Sequence, residues 1–501
     1  MKYNVLLFTD APNPENFTRG YGAYRIAHEI RQLGYSVLTI DFSSAMDDII
    51  FNKIIDLAVG EETIFVGFST TWFPLAGNIL KNNKFKVGEK SLSKHDSLHN
   101  DWFYNSVAYR ISRGELGYFT KIIKSKNPKI KVVVGGAKAS DYVTDQSIDN
   151  VFIGYSENQV IDYIKSITGL GPKRIFNKVI NYDTKANNGE FNFNNSFTDY
   201  VETDCINSHE RLTIEFSRGC IFNCAFCSFP HRNQNTKNYT KYKEVLTHEF
   251  MNNWNKWGIT KYVITDDTFN DYTEKLKAIH EVILSLPFKP VFYFAFIRMD
   301  LMTEEQAILL KAIGLKTAFY GLDAWEATTA KSIGKNSPKK IKGLQNAKQV
   351  WGNDVYISAY IIIGLPHDTI EGIHESAEWY ITEGHKLIDN LKYVSHAINP
   401  PSSASQYQFL SRIEEDPAAW GYTFPKADDL TYWERNNGTI LSKTIADSLM
   451  LIANEKVTPF NNAKIIDWND MYDGKDPTEM YYKLTHEDYF PKLLNVLSNT
   501  N

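Results

Sequence analysis

The chain of 501 residues is poor in cysteine and has only four. Four cysteines are too few for the disulfide framework that stabilises small secreted domains. No stretch reaches the roughly 18 uncharged apolar residues that span a membrane. The beginning, "MKYNVLLFTDAPN", lacks the long apolar region and the cleavage site of a signal peptide. We therefore expect a cytoplasmic protein that does not interact with a membrane.

An excess of basic charge is also missing. Lys and Arg total 54 against 59 Asp and Glu, which gives a formal net charge of -5 at pH 7. Proteins that bind nucleic acid usually carry a basic surface, so we expect no nucleic-acid partner. Hydrophobic residues make up 43% and charged residues 23%, which is typical of globular proteins. The length of 501 residues is enough for two or three domains.

The first 165 residues alternate short apolar runs with helical patterns. "YNVLLF" predicts a buried strand, and "YGAYRIAHEIRQLG" predicts a helix that ends at Gly34. Further strand candidates are "SVLTIDF", "TIFVGFS", "KVVVGG" and "VFIGYS". This alternation predicts a parallel sheet, so we assign residues 1–165 to an α/β, doubly wound (Rossmann-like) domain. A polar insertion at 72–110 interrupts the pattern.

A second series of strands and helices follows a predicted linker at 166–208, which is rich in Asn and Asp. Residues 209–400 contain six strand candidates, namely "LTIEF", "KYVIT", "PVFYFAF", "KTAFYG", "VYISAYIII" and "LKYVSHA". Six units cannot close the eight-stranded barrel, so we predict an open, partial (β/α)6 barrel. For residues 401–501 we predict a mainly helical extension.

Three of the four cysteines lie in "SRGCIFNCAFCSF", with the spacing C-x3-C-x2-C at Cys220, Cys224 and Cys227. A zinc site normally has four protein ligands, and Cys205 lies fifteen residues upstream across a predicted strand. A second interpretation is that the three cysteines are buried core residues that bind no metal. A four-iron cluster on three thiolates would leave one iron open for substrate. The loop follows a predicted barrel strand, where active sites lie, which favours the catalytic cluster.

This spacing, with the aromatic Phe226 before the last cysteine and "RGC" at 218–220, resembles the radical S-adenosylmethionine (SAM) superfamily. The resemblance implies that Cys220, Cys224 and Cys227 hold a [4Fe-4S] cluster whose open iron binds SAM. Reduction of the cluster then yields a 5′-deoxyadenosyl radical, and the protein supplies position and shielding. It also implies an external electron donor such as flavodoxin or ferredoxin.

The resemblance supplies candidate SAM contacts along the predicted barrel. "TDDTFND" resembles the turn that meets the SAM amino group, although a helix N-cap explains it too. "FIRMDL" resembles an R-x-D segment, with a salt bridge as the other reading. "YGLDAW" resembles G-x-E-S with Asp for Glu and Ala for Ser. The family's basic position corresponds to Lys335 in "SIGKNS", and its I-x-G-L-P segment resembles "IIIGLPHDT". The candidates are Phe226, Asp266, Asp267, Arg298, Asp323, Lys335 and Gly364.

The first domain resembles the cobalamin-binding domain that precedes one large radical SAM class. The resemblance lies in "VGFSTT", "VVVGGAKAS" and "IGYSENQVIDYI", where Tyr and Ser replace the usual Glu and Gly. It implies cobalamin contacts from Ser69, Gly135, Gly136 and Glu157. The D-x-H-x-x-G motif is missing, so cobalamin would have no histidine ligand from it. A domain that has lost its cofactor is the alternative.

Together these motifs predict a cobalamin-dependent radical SAM enzyme. Within that class we favour a methyltransferase that acts on an unactivated carbon of a small molecule, using a 5′-deoxyadenosyl radical and methylcobalamin. One alternative is a radical SAM enzyme that rearranges or cyclises its substrate without methylation. Another is a non-catalytic iron–sulfur electron carrier. The methylthiotransferases, which have three more cysteines in their first domain, are excluded because no cysteine precedes Cys205.

Overall fold

The structure is a computed structural model. It describes residues 2–10, 18–71, 105–181, 187–188, 191–335, 339–398, 409–426, 431–436, 441–462 and 481–499. Most of the predicted insertion at 72–110 lies outside the described residues.

The described part of the first domain is built on one sheet of six parallel strands in the order β2-β1-β3-β4-β5-β6. The strands are β1 (Val5–Phe8), β2 (Val37–Ile40), β3 (Phe65–Ser69), β4 (Lys131–Gly135), β5 (Asn150–Phe152) and β6 (Val179–Ile180). The helices are α1 (Tyr21–Gln32), α2 (Asp48–Ala58), α3 (Val107–Arg110), α4 (Leu116–Lys126) and α5 (Glu157–Thr168). The predicted doubly wound domain is confirmed.

Helices cover both faces of this sheet, which explains why its strands are apolar at almost every position. Val5 and Leu7 of β1 pack in one hydrophobic core with residues of α1 and α5. Leu6 and Phe8 point the other way and pack in a second core with residues of α2 and α4. Alternate residues of the same strand therefore contribute to two separate cores.

The segment after α5 is only partly a linker. β6 adds a sixth strand to the first sheet, so that sheet continues beyond the predicted boundary at residue 165. A strand of two residues has no periodicity that a sequence pattern can show. Further along, β7 (Asn187–Asn188) and β8 (Phe191–Asn192) form a short antiparallel hairpin.

The second domain is a partial barrel of parallel strands that follow one another in chain order. The strands are β9 (Leu212–Ile214), β10 (Lys261–Ile264), β11 (Val291–Phe292), β12 (Ala295–Ile297), β13 (Thr317–Asp323), β14 (Tyr356–Ile363) and β15 (Asn390–Ser395). β11 and β12 are two halves of the third predicted strand. The six-unit open barrel is therefore confirmed.

Helices follow each of the first five barrel units, as predicted. They are α6 (Lys243–Trp257), α7 (Thr273–Ser285), α8 (Glu304–Ile313), α9 (Ala327–Ser332), α10 (Lys340–Trp351) and α11 (Ile370–Thr382). One large core joins them to the outer face of the sheet. We call the end of the barrel at which the carboxyl ends of its strands lie the mouth.

The extension divides between the two domains. Its first part packs on the barrel and comprises α12 (Arg412–Glu415), β16 (Tyr422–Thr423), β17 (Glu434–Arg435), β18 (Leu441–Ser442) and α13 (Lys443–Val457). Its second part, residues 481–499 with α14 (Phe490–Asn499), packs in a core of the first domain. Across the described ranges, no helix is both long enough and apolar enough to cross a bilayer.

Candidate active site at the mouth of the barrel

The three clustered cysteines lie on one loop that leaves the carboxyl end of β9. Hydrogen bonds shape the loop: the N–H of Cys220 donates to the carbonyl of His231 (2.9 Å), and that of Cys227 donates to the carbonyl of Cys224 (3.1 Å). The N–H of Ala225 donates to the carbonyl of Ile333 (2.9 Å), which ties the loop to the end of α9. Cys220 and Cys227 are half-buried, so ligands can reach them.

The cysteine thiols have donors beside them that suit thiolate ligands. Cys220 Sγ lies 3.2 Å from Thr268 Oγ1, and Arg298 Nη1 lies 3.7 Å from Cys224 Sγ. Without a metal, burial raises the pKa of Cys220 and raises that of Cys227 to about 12. No three His, Cys, Asp or Glu side chains in the described residues are placed to hold a single metal ion. Three cysteines on one loop, with Thr268 and Arg298 beside their sulfur atoms, form the kind of donor set that holds a four-iron cluster.

Asp266, at the carboxyl end of β10, is fully engaged by protein donors. Its carboxylate accepts from the N–H groups of Phe216 (2.7 Å) and Ser217 (2.9 Å). Lys275 Nζ lies 3.5 Å from the same carboxylate and 2.9 Å from Ser217 Oγ. The Asp266 carboxylate therefore fixes the start of the cysteine loop against β10, and both of its oxygen atoms already have protein donors.

The neighbouring Asp267 is different because one of its oxygens is left over. Asp267 Oδ2 is buried and has no hydrogen-bond partner among the described residues. Burial, with the nearby charge of Glu215, raises the pKa of Asp267 to about 7. A buried acceptor without a donor is costly unless a ligand supplies one. The ammonium group of SAM is a donor of the required kind.

Arg298 forms the salt bridge that is one of its two readings from the sequence, and its contact with SAM stays a prediction. Its guanidinium forms two hydrogen bonds with Asp300, of 2.8 and 2.6 Å, so the salt bridge is present. The same guanidinium stacks 3.7 Å from the centroid of the Phe222 ring, within the cysteine loop. Arg298 therefore brings a positive charge beside Cys224, where a cluster would carry negative charge.

The structure brings Asp323 and Lys335 together. Lys335 Nζ forms an ion pair with Asp323 and donates to the carbonyl of Gly321 at 2.9 Å. The N–H of Lys335 donates to the carbonyl of Ala330 (2.7 Å), which brings the lysine back from α9 towards β13. The two candidates form one unit at the end of β13, and both are largely buried.

Gly364 is covered by the extension. Its φ is +100°, and a Cβ at this position would lie 2.4 Å from the Trp433 ring. The Tyr422 hydroxyl donates to the Gly364 carbonyl at 2.6 Å. A contact of Gly364 with SAM would thus be limited to the face that Trp433 leaves open. Phe226 is half-buried and packs on the barrel core.

The candidates of the first domain lie at the carboxyl edge of its sheet. Ser69 ends β3 and pairs with Gly135 of β4. Gly136 has a φ of +95°, and a Cβ there would lie 2.6 Å from Thr71 Oγ1 and 2.8 Å from Thr71 N. The protein's own turn therefore requires this glycine. Residues 11–17, and residues 72–104 of the predicted insertion at 72–110, lie outside the described residues.

Glu157 points towards the barrel, at the start of α5. Its Oε1 lies 3.0 Å from Arg218 Nη2, and Glu215 also binds Arg218 through two hydrogen bonds of 2.9 and 3.0 Å. The Arg218 guanidinium lies 4.2 Å from the centroid of the Tyr155 ring. Sequence reasoning assigned Glu157 to cobalamin and missed this pair. Neither motif contains a signal that relates one residue to the other.

A ring contact extends the same interface. Tyr155, from the loop between β5 and α5, lies with its ring centroid 4.6 Å from that of His231 in the cysteine loop. The carboxyl edge of the first sheet and the mouth of the barrel therefore face each other. Ligand sites of both fold types lie on these edges.

Comparison with known proteins agrees with this geometry. Residues 214–380 match the radical SAM superfamily. No curated protein matches the chain in sequence. The fold resembles that of the radical S-adenosylmethionine methyltransferase TsrM from Kitasatospora setae, in a structure with cobalamin and a [4Fe-4S] cluster bound. The TM-score is 0.60 at 12% identity, over 100% of both chains.

Two further structures are similar. TsrM with tryptophan substrate and the SAM analog aza-SAM has a TM-score of 0.59 at 14% identity, over 85% of this chain and 79% of that one. The cobalamin-dependent SAM radical enzyme OxsB with aqua-cobalamin and SAM has a TM-score of 0.50 at 14% identity, over 83% of this chain and 56% of that one. At these identities the likeness concerns the fold. Residues 214–380 therefore match a radical SAM domain, and the fold of the chain is similar to that of the TsrM and OxsB structures.

Proposed function

We propose that the chain is a cobalamin-dependent radical SAM enzyme that transfers a methyl group to an unactivated carbon of a small molecule. One observation carries the proposal: the carboxyl edge of the first sheet faces the cysteine loop, through the Glu157–Arg218 and Tyr155–His231 contacts. A cofactor on the first domain and a ligand in the barrel mouth would then lie opposite each other. The fold likeness to TsrM and OxsB supports this arrangement.

In this proposal the barrel mouth holds the cluster and SAM. Cys220, Cys224 and Cys227 are the cluster ligands. The unpartnered Oδ2 of Asp267 accepts from the SAM ammonium group, and Lys335 binds the SAM carboxylate while it keeps its pair with Asp323. When bound, the reduced cluster and SAM supply a radical that removes hydrogen from a carbon. An external electron donor such as flavodoxin or ferredoxin, in the cytoplasm, would reduce the cluster.

The residues of the chain orient and shield these groups. Lys275 and Asp266 fix the root of the cysteine loop through Ser217. Trp433 closes one side of the mouth, since its ring covers Gly364 and its Nε1–H donates to the carbonyl of His396 at 2.9 Å. Because an organic radical reacts with whatever it meets, the cover that Trp433 provides on this side would protect the reaction.

The first domain would hold cobalamin at its carboxyl edge. In a sheet of this order, ligands bind where the strand order reverses, between β1 and β3. Ser69, Gly135 and Gly136 lie at that edge on the neighbouring strands β3 and β4. When bound, cobalamin supplies the methyl group. Because the sequence lacks the D-x-H-x-x-G motif, cobalt would have no histidine ligand from it.

The test is anaerobic reconstitution of the full chain with iron, sulfide and hydroxocobalamin, followed by SAM and a reductant. We expect about one cobalt per chain, 5′-deoxyadenosine from SAM, and S-adenosylhomocysteine whose formation requires cobalamin. A cluster-loaded chain that retains no cobalt would contradict the cobalamin proposal and favour a reaction without methylation. A loaded chain that leaves SAM intact would favour an electron carrier.

A further inference from the structure

Large aromatic side chains line the inner face of the partial barrel. In β12, Ala295 and Ile297 are buried at 0% and 2% exposure under the outer helices, so Phe296 between them faces the lumen. The same alternation in β13 and β14 buries Ala318 and Ala359 on the outer face, one residue before Phe319 and Tyr360. These aromatic residues therefore point into the barrel.

They form one continuous surface. Ring centroids lie 5.3 Å apart for Phe296 and Phe319, 4.8 Å for Phe319 and Tyr360, and 4.9 Å for Phe294 and Phe296. We call Phe294, Phe296, Phe319 and Tyr360 the aromatic wall. All four side chains of the wall are half-buried. They differ in this from aromatic residues of the barrel core such as Phe292, which are buried. None belongs to the hydrophobic clusters of the core. The wall is thus accessible from the lumen.

The aromatic wall reaches the candidate SAM site. Tyr360 is the partner of Gly321 in the β13–β14 pairing. The Gly321 carbonyl accepts a hydrogen bond from Lys335, which forms an ion pair with Asp323. A molecule lying on the wall would therefore extend towards the group that, in the proposed function, holds the SAM carboxylate.

A lysine stands beside the wall on the same face of the sheet. Lys392 of β15 is the partner of Tyr360 in the β14–β15 pairing, and paired residues of parallel strands point the same way. Its neighbours Leu391 and Tyr393 are buried on the outer face, while Lys392 is exposed. In the part of the chain that the structure describes, Lys392 forms no ion pair or side-chain hydrogen bond.

We propose that the aromatic wall and Lys392 bind the substrate, and that the substrate carries a planar aromatic ring and an anionic group such as a carboxylate. This inference rests on the proposed function and names its substrate class. Aromatic faces and edges bind planar rings through offset and edge-on contacts. A lysine without a protein partner gains a charge-assisted hydrogen bond from a ligand anion.

The test measures binding of three probes to the full chain, reconstituted with its cluster and supplied with SAM but no reductant. 2-Naphthoate has the ring and the charge, 2-naphthylmethanol has only the ring, and cyclohexanecarboxylate has only the charge. By calorimetry we expect 2-naphthoate to bind one per chain, about tenfold more tightly than either of the others.

Variants locate the binding. Phe319→Leu, which preserves apolar volume, and Lys392→Gln should each weaken 2-naphthoate binding about tenfold. The matched controls Phe460→Leu and Lys386→Gln, at exposed positions outside the lumen, should leave it unchanged. Equal binding of all three probes, absence of 2-naphthoate binding, or equal effects of test and control variants would overturn the proposal.

Formation of 5′-deoxyadenosine, followed on the same samples after reduction, separates this inference from the proposed function. Loss of probe binding with SAM cleavage intact overturns the substrate class alone. Binding at the wall in a cluster-loaded chain that never cleaves SAM supports the binding site and overturns the proposed function.

Discussion

Arg218 and Glu157 form a buried ion pair between the barrel and the first domain, with Arg218 Nη2 3.0 Å from Glu157 Oε1. Their side chains are 4% and 6% exposed. Arg218 lies two positions before Cys220, so the first domain helps to position the loop that carries the cysteines. The pair therefore links the stability of the domain interface to the geometry of the cluster site.

Replacement of Arg218 should destabilise this interface strongly. Arg218→Met leaves Glu157 and Glu215 buried without their cation, which should lower the free energy of unfolding by about 3–5 kcal/mol. Denaturant unfolding measures the change, and iron content should fall as well. Arg174→Met is the control, because its pair with Asp162 is on the surface and contributes at most about 1 kcal/mol. Equal effects of the two variants would contradict the interface role.

The cysteine loop should account for all cluster iron. Replacement of Cys220, Cys224 and Cys227 by alanine should abolish iron binding and SAM cleavage, measured by iron and sulfide content and by 5′-deoxyadenosine. Cys205 is fully buried and its thiol lies 3.6 Å from the Thr203 carbonyl. Cys205→Ala should therefore leave the cluster content unchanged. A triple variant that retains a four-iron cluster would show that the ligands lie elsewhere.

Asp267 should contribute to SAM affinity through its charge. Asp267→Asn keeps the shape of the side chain and removes the charge that faces the ammonium group. A desolvated, charge-assisted contact contributes roughly 1.5–3 kcal/mol, so the Kd of SAM should rise about tenfold to a hundredfold. Lys335→Ala, which removes the cation facing the carboxylate, should act in the same direction. Equilibrium dialysis checks both, with the surface variant Asp354→Asn as control. Unchanged affinity in both would rule out these roles.

Two glycines with positive φ should differ in their tolerance of alanine. At Gly364 a Cβ would lie 2.4 Å from Trp433, whereas at Gly34, with a φ of +87°, nothing lies within 4 Å. Gly34→Ala should cost only the backbone strain, about 1–2 kcal/mol. Gly364→Ala should cost a further 1–3 kcal/mol, roughly, because the ring must move. Thermal unfolding, with Trp fluorescence as the probe, compares the two, and equal losses would contradict the packing of Trp433.

Acid should destabilise the protein partly through His396. Burial, with the nearby charge of Lys443, lowers the pKa of His396 to about 3 from an ordinary value near 6.5. The unfolded chain thus binds a proton that the folded chain does not, so stability falls as the pH drops below about 6.5. Between pH 6.5 and 5 the parent protein should lose about 2 kcal/mol more free energy of unfolding than His396→Gln loses. Unfolding midpoints measure this difference, and the exposed His209→Gln should behave as the parent does.

The sequence was sufficient for the architecture because the alternation of strands and helices is strong. The doubly wound sheet, the partial barrel and the position of the cysteine loop after β9 all follow from local patterns. The two-residue strand β6 was missed because it is too short to have a period. The division of the extension between two domains was also missed, since no local pattern indicates which distant surface a helix covers.

The site was predictable where its residues share a short motif. The cysteine trio, Asp323 and Lys335 became candidates because each lies in a short motif that resembles the family, whereas the ion pair between Asp323 and Lys335 was not predicted. The Glu157–Arg218 pair joins residues 61 positions apart, and Tyr489 meets Asp41 across 448 positions. Such contacts depend on the packing of whole domains, so the sequence predicted neither the pair of Glu157 with Arg218 nor a partner for Tyr489.

The helix α14 has a consequence for the order in which the chain folds. Phe490, Leu493 and Leu497 complete the same core as Leu6 and Phe8 of β1. During synthesis β1 leaves the ribosome first, and these side chains leave nearly five hundred residues later. Until then the core on this face of the first sheet, which α2 and α4 cover in part, stays incomplete and exposed to aggregation. The first domain therefore completes its core only after the whole barrel has been synthesised.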